Sequence, residues 1–163
     1  MQTPVSETHL PPLGGLVRED VMLVLQQELV ELIDLGLVGK QLHWTVVGEH
    51  FRPLHAQLDE LVDSWRDQAD TVAERIVAIG GAPDAQASTV AAASGWDPIE
   101  VRPIESQAAI RVVARRLAEC TERTRDRMTR LGQLDLASQD VLIQLLRELE
   151  KQLWMVRAQF SLE

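Results

Sequence analysis

The sequence predicts an all-α protein, a four-helix bundle with one long crossover. Three observations carry this reading. Apolar residues recur at helical intervals in four long stretches. No stretch alternates apolar and polar residues over a useful strand length, and no internal repeat is visible. The link between the second and third stretches is too long for a tight hairpin, so it must run back along the bundle. The 163 residues suffice for one compact domain with its own core. Hydrophobic residues make up 45% of the chain and charged ones 25%, the balance of a soluble globular protein. No run approaches the roughly 18–20 apolar residues of a membrane span.

Residues 1–17 are expected to form an extended or partly ordered arm, and residues 18–163 the bundle domain. The arm contains Pro4, Pro11, Pro12, Gly14 and Gly15, and it lacks the basic and apolar regions of a secretory signal. The first helix is expected over about 18–46. Glu19 and Asp20 favour its N-terminal dipole, Val21, Leu25, Leu29, Leu32 and Val38 face inward, and Gly48 marks its end. This helix is apolar over much of its girth, as a buried bundle member should be. The second covers about 51–80, with a core stripe of Leu58, Leu61, Trp65, Ala69, Val72, Ile76 and Ile79. Gly80, Gly81 and Pro83 stop it.

The link spans 81–103, and its alanine-rich middle predicts a short extra helix. The third long helix is expected over about 104–131, with Ile110, Val113, Leu117, Cys120, Thr124, Met128 and Leu131 inward. Its Arg111, Arg115, Arg123, Arg127 and Arg130 read as an exposed face balanced by acids. The fourth covers about 136–161, burying Leu142, Leu145, Leu149, Leu153, Val156 and Phe160.

Four residues stand apart from this packing pattern. His43, His55, Asp70 and Glu74 supply two imidazoles and two carboxylates, a usual ligand set for a first-row metal such as iron. Asp70 and Glu74 are four residues apart and share one helix face; Asp59 lies one turn beyond His55. His55 and Asp70, however, are separated by roughly 22 Å along a helix that rises about 1.5 Å per residue. No ion bridges that distance within one subunit. Either these are two half-sites that never meet, or a second copy of the chain, paired antiparallel about a two-fold axis, brings them together.

The run His43-Trp44, Gly48, Phe51, Leu54-His55, Asp59, then Asp70 with Ala73-Glu74-Arg75, resembles the signature of the Dps proteins, the DNA-binding proteins from starved cells. Leu149-Glu150-Lys151-Gln152-Leu153-Trp154-Met155 resembles that family's second characteristic run. Spacings of 12, 15 and 4 residues between the four candidates make the match specific. The resemblance implies a ferritin-like four-helix bundle with the short extra helix between helices two and three, assembled as a hollow dodecamer. It implies ferroxidase centres at two-fold interfaces, with iron as metal and hydrogen peroxide or oxygen as oxidant. His43 and His55 would face Asp70 and Glu74 of a neighbouring subunit, with Asp59 as a further ligand or supporting partner. Trp44 matches a tryptophan beside the centre that intercepts oxidising species. Asp140, and with it Asp135, match acidic positions lining a three-fold pore. Glu60 and Asp63 are candidates for nucleating mineral.

The charge of −9 argues against simple electrostatic binding of nucleic acid. The N-terminal arm has Glu7 and His9 but no Lys or Arg, and the chain stops at Ser161-Leu162-Glu163 with no basic tail. Contact with DNA is therefore left to arginines on the assembled shell or to divalent-ion bridges. Two functions compete: an iron-oxidising and iron-storing cage that protects DNA indirectly, and a nucleoid-compacting particle whose iron chemistry is secondary. The intact ligand set favours the first. The cytoplasm, with nucleoid association, is the expected location. Lone Cys120 reads as a reduced thiol with no catalytic triad around it. Trp96 and Trp154 read as packing residues, and His9 and His50 as chemically idle.

Overall fold

The computed structural model describes residues 10–159. Phe160, His9, Glu7 and both chain ends lie outside the described residues. Five helices follow in order: α1 (Gly15–Thr45), α2 (Phe51–Ala78), α3 (Ala87–Ala93), α4 (Ser106–Leu131) and α5 (Leu136–Arg157). The four long ones form the bundle, and α3 is the short helix of the crossover. A two-residue strand pair was not expected: β1 (Val46–Val47) runs parallel to β2 (Ile104–Glu105). Its pairing takes over the backbone groups that the ends of α1 and the crossover would otherwise leave free.

The first helix begins three residues earlier than expected. Arg18 donates to the carbonyls of Pro11 (3.2 Å) and Leu13 (3.1 Å), tying the end of the arm onto the helix start. Glu19 and Asp20 therefore lie beyond the first turn, where the dipole is strongest, and their expected role is lost. At the other end α1 stops at Thr45. Gly48, at φ 102°, supplies the left-handed turn into α2 that other residues rarely adopt.

The α2 stripe is buried throughout, as its periodicity predicts. Trp65 sits at its centre and donates from Nε1 to Gln152 Oε1 of α5 at 2.8 Å, which satisfies the indole inside the core. It also packs on the Gly39 backbone. A Cβ at Gly39 would come within 2.6 Å of the Trp65 ring and 2.7 Å of Val62. The crossover is pinned at its start by Gln26 of α1, which accepts from Asp84 N (2.9 Å) and donates to Asp84 O (2.7 Å). Asp84 then accepts from Gln86 N and Thr89 Oγ1, starting α3.

Three expectations about side chains need correction. Arg127 is not on the outer face of α4; it turns inward onto buried Glu28 and Glu31 of α1. Trp96 does more than fill space, since Arg116 and Arg123 lie over its ring at 5.2 and 5.8 Å. Trp154 is 68% exposed in the subunit, so it is no packing residue there. Among the described residues no helix is long and apolar enough to cross a membrane.

Candidate metal centre

The end of α1 and the start of α2 pack side by side, joined by β1 and a short turn. This places His43 opposite His55. The two form a reciprocal clasp: His43 Nδ1 lies 2.9 Å from the His55 carbonyl, and His55 Nδ1 lies 2.9 Å from the His43 carbonyl. A carbonyl oxygen can only accept, so each Nδ1 carries the hydrogen. That fixes the tautomer of both neutral rings and leaves each Nε2 with a free lone pair, the form in which imidazole binds metal. The rings stack with centroids 3.6 Å apart, and Phe51 lies against His55 at 5.0 Å. His43 is buried and His55 half-buried.

Asp59 joins them from the next turn of α2. One donor atom from each of His43, His55 and Asp59 lies within 4.8 Å of the others. Asp59 Oδ1 is 3.4 Å from His43 Nδ1 and in contact with Lys40 Nζ. That hydrogen bond from Lys40, with the two nearby imidazoles, holds the Asp59 carboxyl below its ordinary range against a smaller opposing effect of desolvation. Lys40 escaped the sequence reading, although its position three residues before His43 puts it on the same face of α1.

Asp70 and Glu74 are not brought to this cluster. Both are on α2, both exposed in the subunit, and the unbroken helix keeps Asp70 roughly 22 Å and Glu74 roughly 28 Å from His55. Trp44 is 70% exposed next to His43. Asp140 is exposed and accepts from Gln144 at 2.7 Å.

Asp135, the other acid expected at a pore, is engaged within the subunit. Its carboxylate caps α5 through Ser138 N (3.0 Å) and pairs with Arg75 at 2.7 Å. Burial works against its charge, but the hydrogen bonds from Ser138 and Arg75 outweigh this and hold its carboxyl below the usual range. Cys120 is fully buried, and burial, with Glu28 and Glu31 adding to it, pushes its thiol far up. It is an inert core thiol.

A four-helix bundle with a long crossover carrying a short extra helix has counterparts among known proteins. The ferritin-like domain family matches residues 23–163. The chain belongs to the ferritin-like family, in its Dps branch. The DNA protection during starvation protein of Mycolicibacterium smegmatis is 37% identical over 149 residues, covering 91% of this chain and 81% of that one. The solved tetragonal form of Mycobacterium smegmatis Dps superimposes with a TM-score of 0.89 at 36% identity, covering 94% of this chain and 93% of that one. DpsA14 from Streptomyces coelicolor gives 0.88 at 35% identity, covering 92% and 89%.

Proposed function

We propose that this chain is the subunit of a Dps-type cage that oxidises Fe²⁺ at centres shared across two-fold interfaces and stores the ferric product. The observation that supports it most is the His43–His55 clasp, which leaves two Nε2 lone pairs without a hydrogen-bond partner among the described residues. In this reading His43 and His55 of one subunit face Asp70 and Glu74 of the other, and Asp59 serves the second iron. Exposed Asp70 and Glu74, which make no side-chain hydrogen bond or ion pair among the described residues, fit a function completed by a second copy.

The donor set suits the reaction. Imidazole and carboxylate bind Fe²⁺ without saturating it, and carboxylates favour the ferric state. Two Fe²⁺ ions and one hydrogen peroxide, with two protons, give two Fe³⁺ and two waters. Each iron loses one electron and the peroxide bond takes both, so no hydroxyl radical is released. Exposed Trp44 would intercept stray oxidant beside the centre. Asp140 is the carboxylate left for a pore ring that concentrates cations, and exposed Glu60 and Asp63 are left for nucleation. DNA protection then follows from removing Fe²⁺ and peroxide, with no need for contact.

Subunit complementation tests the shared centre. The variants His43→Ala/His55→Ala and Asp70→Ala/Glu74→Ala are each expected to lose peroxide-driven Fe²⁺ oxidation. Co-assembled in equal amounts, half the two-fold pairs are mixed, and each mixed pair regains one of its two centres. About a quarter of wild-type centres should return. Recovery of nothing, or unimpaired oxidation in either variant alone, would overturn the reading.

A further inference from the structure

Between α3 and β2 the crossover runs without regular structure over residues 95–103. Pro98 and Pro103 keep it out of helix. Two adjoining cavities lie between this stretch and α4. One, of about 330 Å³, is walled by Leu42, Ile99, Ile104, Ala108 and Val112. The other, of about 220 Å³, is walled by Gly95, Trp96, Glu119 and Arg123. Asp97, Arg115 and Arg116 line both, so an apolar chamber opens beside a polar one. The polar side holds more donors than the subunit uses. Arg116 is buried; its Nη2 donates to the Asp97 carbonyl and its Nη1 stands 3.7 Å from Glu119. Its buried Nε has no partner among the described residues. The faces of the Trp96 ring are taken up by Arg116 and Arg123, yet its buried Nε1 also has no partner among them. Arg115, exposed at the rim, makes no hydrogen bond or ion pair among the described residues. A buried donor without an acceptor is costly to the fold, so two of them beside one cavity point to a ligand that accepts.

We infer that this groove binds an aliphatic monocarboxylate, whose oxygens accept from Arg115, Arg116 and Trp96 and whose chain lies in the apolar chamber. The charge balance selects one negative charge over two. Arg123 is committed to Glu31 and to the Ser94 carbonyl, Arg116 is partly balanced by Glu119, and the Asp97 carboxylate stands at the rim. A phosphate dianion would meet those acids with only Arg115 uncompensated. A carboxylate brings two oxygens for the three donors and a single charge. Its chain then removes water from Leu42, Ile99, Ile104, Ala108 and Val112, the apolar wall with a few placed polar groups that small-molecule sites share. The groove uses no residue of the imidazole cluster, so the inference stands apart from the iron centre.

Calorimetric titration of the assembled protein with butanoate, hexanoate and octanoate tests this, with octanol and inorganic phosphate as comparison probes. Octanoate should bind once per subunit, and each added methylene should tighten binding by up to about fourfold. Octanol, which lacks the charge, and phosphate, which lacks the chain, should each bind about tenfold more weakly than octanoate, or worse. Arg115→Gln, at the exposed rim, should weaken octanoate about tenfold, the worth of a charge-assisted hydrogen bond. Ala108→Phe, which fills the apolar chamber, should abolish binding. The inference is overturned if octanoate does not bind, if affinity ignores chain length, or if octanol or phosphate binds as tightly. It is equally overturned if either variant binds octanoate like wild type. Should Ala108→Phe not assemble, Ile99→Ser on the crossover decides: it should weaken octanoate severalfold, and an unchanged affinity overturns the inference.

Discussion

Deep in the bundle, Glu28 and Glu31 of α1 meet Thr124, Arg123 and Arg127 of α4. Twelve residues further along the same helix, His43 meets His55 and Asp59. Both are clusters of metal-competent side chains, yet they are chemically opposite. In the inner cluster every carboxylate oxygen is taken. Thr124 Oγ1 donates to Glu28 Oε1 at 2.7 Å, and Arg127 Nη1 lies 2.9 Å from both Glu28 Oε2 and Glu31 Oε2. Arg127 Nη2 and Arg123 Nη1 both reach Glu31 Oε1. Burial pushes the Glu28 carboxyl up, and Arg127 and Thr124 oppose it. Glutamates facing the middle of a ferritin-like bundle are where such folds hold paired metals; here guanidinium fills that place. In the outer cluster the backbone takes one nitrogen of each imidazole and leaves the other. The comparison teaches that free lone pairs, and not the number of acidic residues, make a cluster a candidate for holding metal.

The sharpest way to break this contrast is to exchange the effects. His43→Ala/His55→Ala should lower Fe²⁺ oxidation by about a hundredfold or more in stopped-flow absorbance. Arg127→Ala should do the reverse. It strands two buried carboxylates and should cost about 3–5 kcal/mol in urea unfolding, while oxidation per assembled particle stays at wild type. A loss of oxidation in Arg127→Ala at unchanged stability would show that the inner cluster also serves the chemistry. Gly39→Ala, which would push a methyl into Trp65 and Val62, should cost about 1–3 kcal/mol by overpacking.

The smallest effect belongs to Asp135, a carboxylate engaged like those of the inner cluster but near the surface. Its folded carboxyl titrates below its unfolded value of about 4, so its stabilisation is fully present above that pH. It is lost as pH falls through the lowered folded value. Asp135→Asn, which keeps a cap acceptor but removes the charge opposite Arg75, should remove this acid-side slope and cost about 1 kcal/mol near neutral pH, read from urea midpoints across pH 3–6.

The bundle was legible because periodicity reports burial. The α2 stripe from Leu58 to Ile79 is buried residue for residue, and α3 falls inside the alanine-rich part of the link. The proximity of His43, His55 and Asp59 followed from helix geometry and resemblance together. What escaped notice was charge compensated by distant charge. Glu28 and Glu31 are in phase with buried Leu25, Leu32 and Leu35, and Arg127 with Cys120, Thr124 and Leu131. A polar residue on a core stripe signals a buried partner, but the partner lies more than ninety residues away and nothing local names it. The capping role of Asp135 went unread for a similar reason. An acid just before a helix commonly serves as its cap, and the Arg75 that pairs with it lies 60 residues away.

The parallel pairing of Val46 with Ile104 closes a long loop, whereas α1 with α2 and α4 with α5 are sequence neighbours. The Trp65–Gln152 and Glu28–Arg127 bonds also cross between these two αα-hairpins. The contacts within each hairpin are local and those between them are distant in the chain, so loop closure delays the second set. Folding should therefore zip two hairpins early and dock them late. Weakening a docking bond, as Arg127→Ala does, should then steepen the escape from the native state and leave the refolding rate nearly untouched. A denaturant chevron with a shifted unfolding arm would carry that signature, and a slowed refolding arm would place the docking contacts in the nucleus instead.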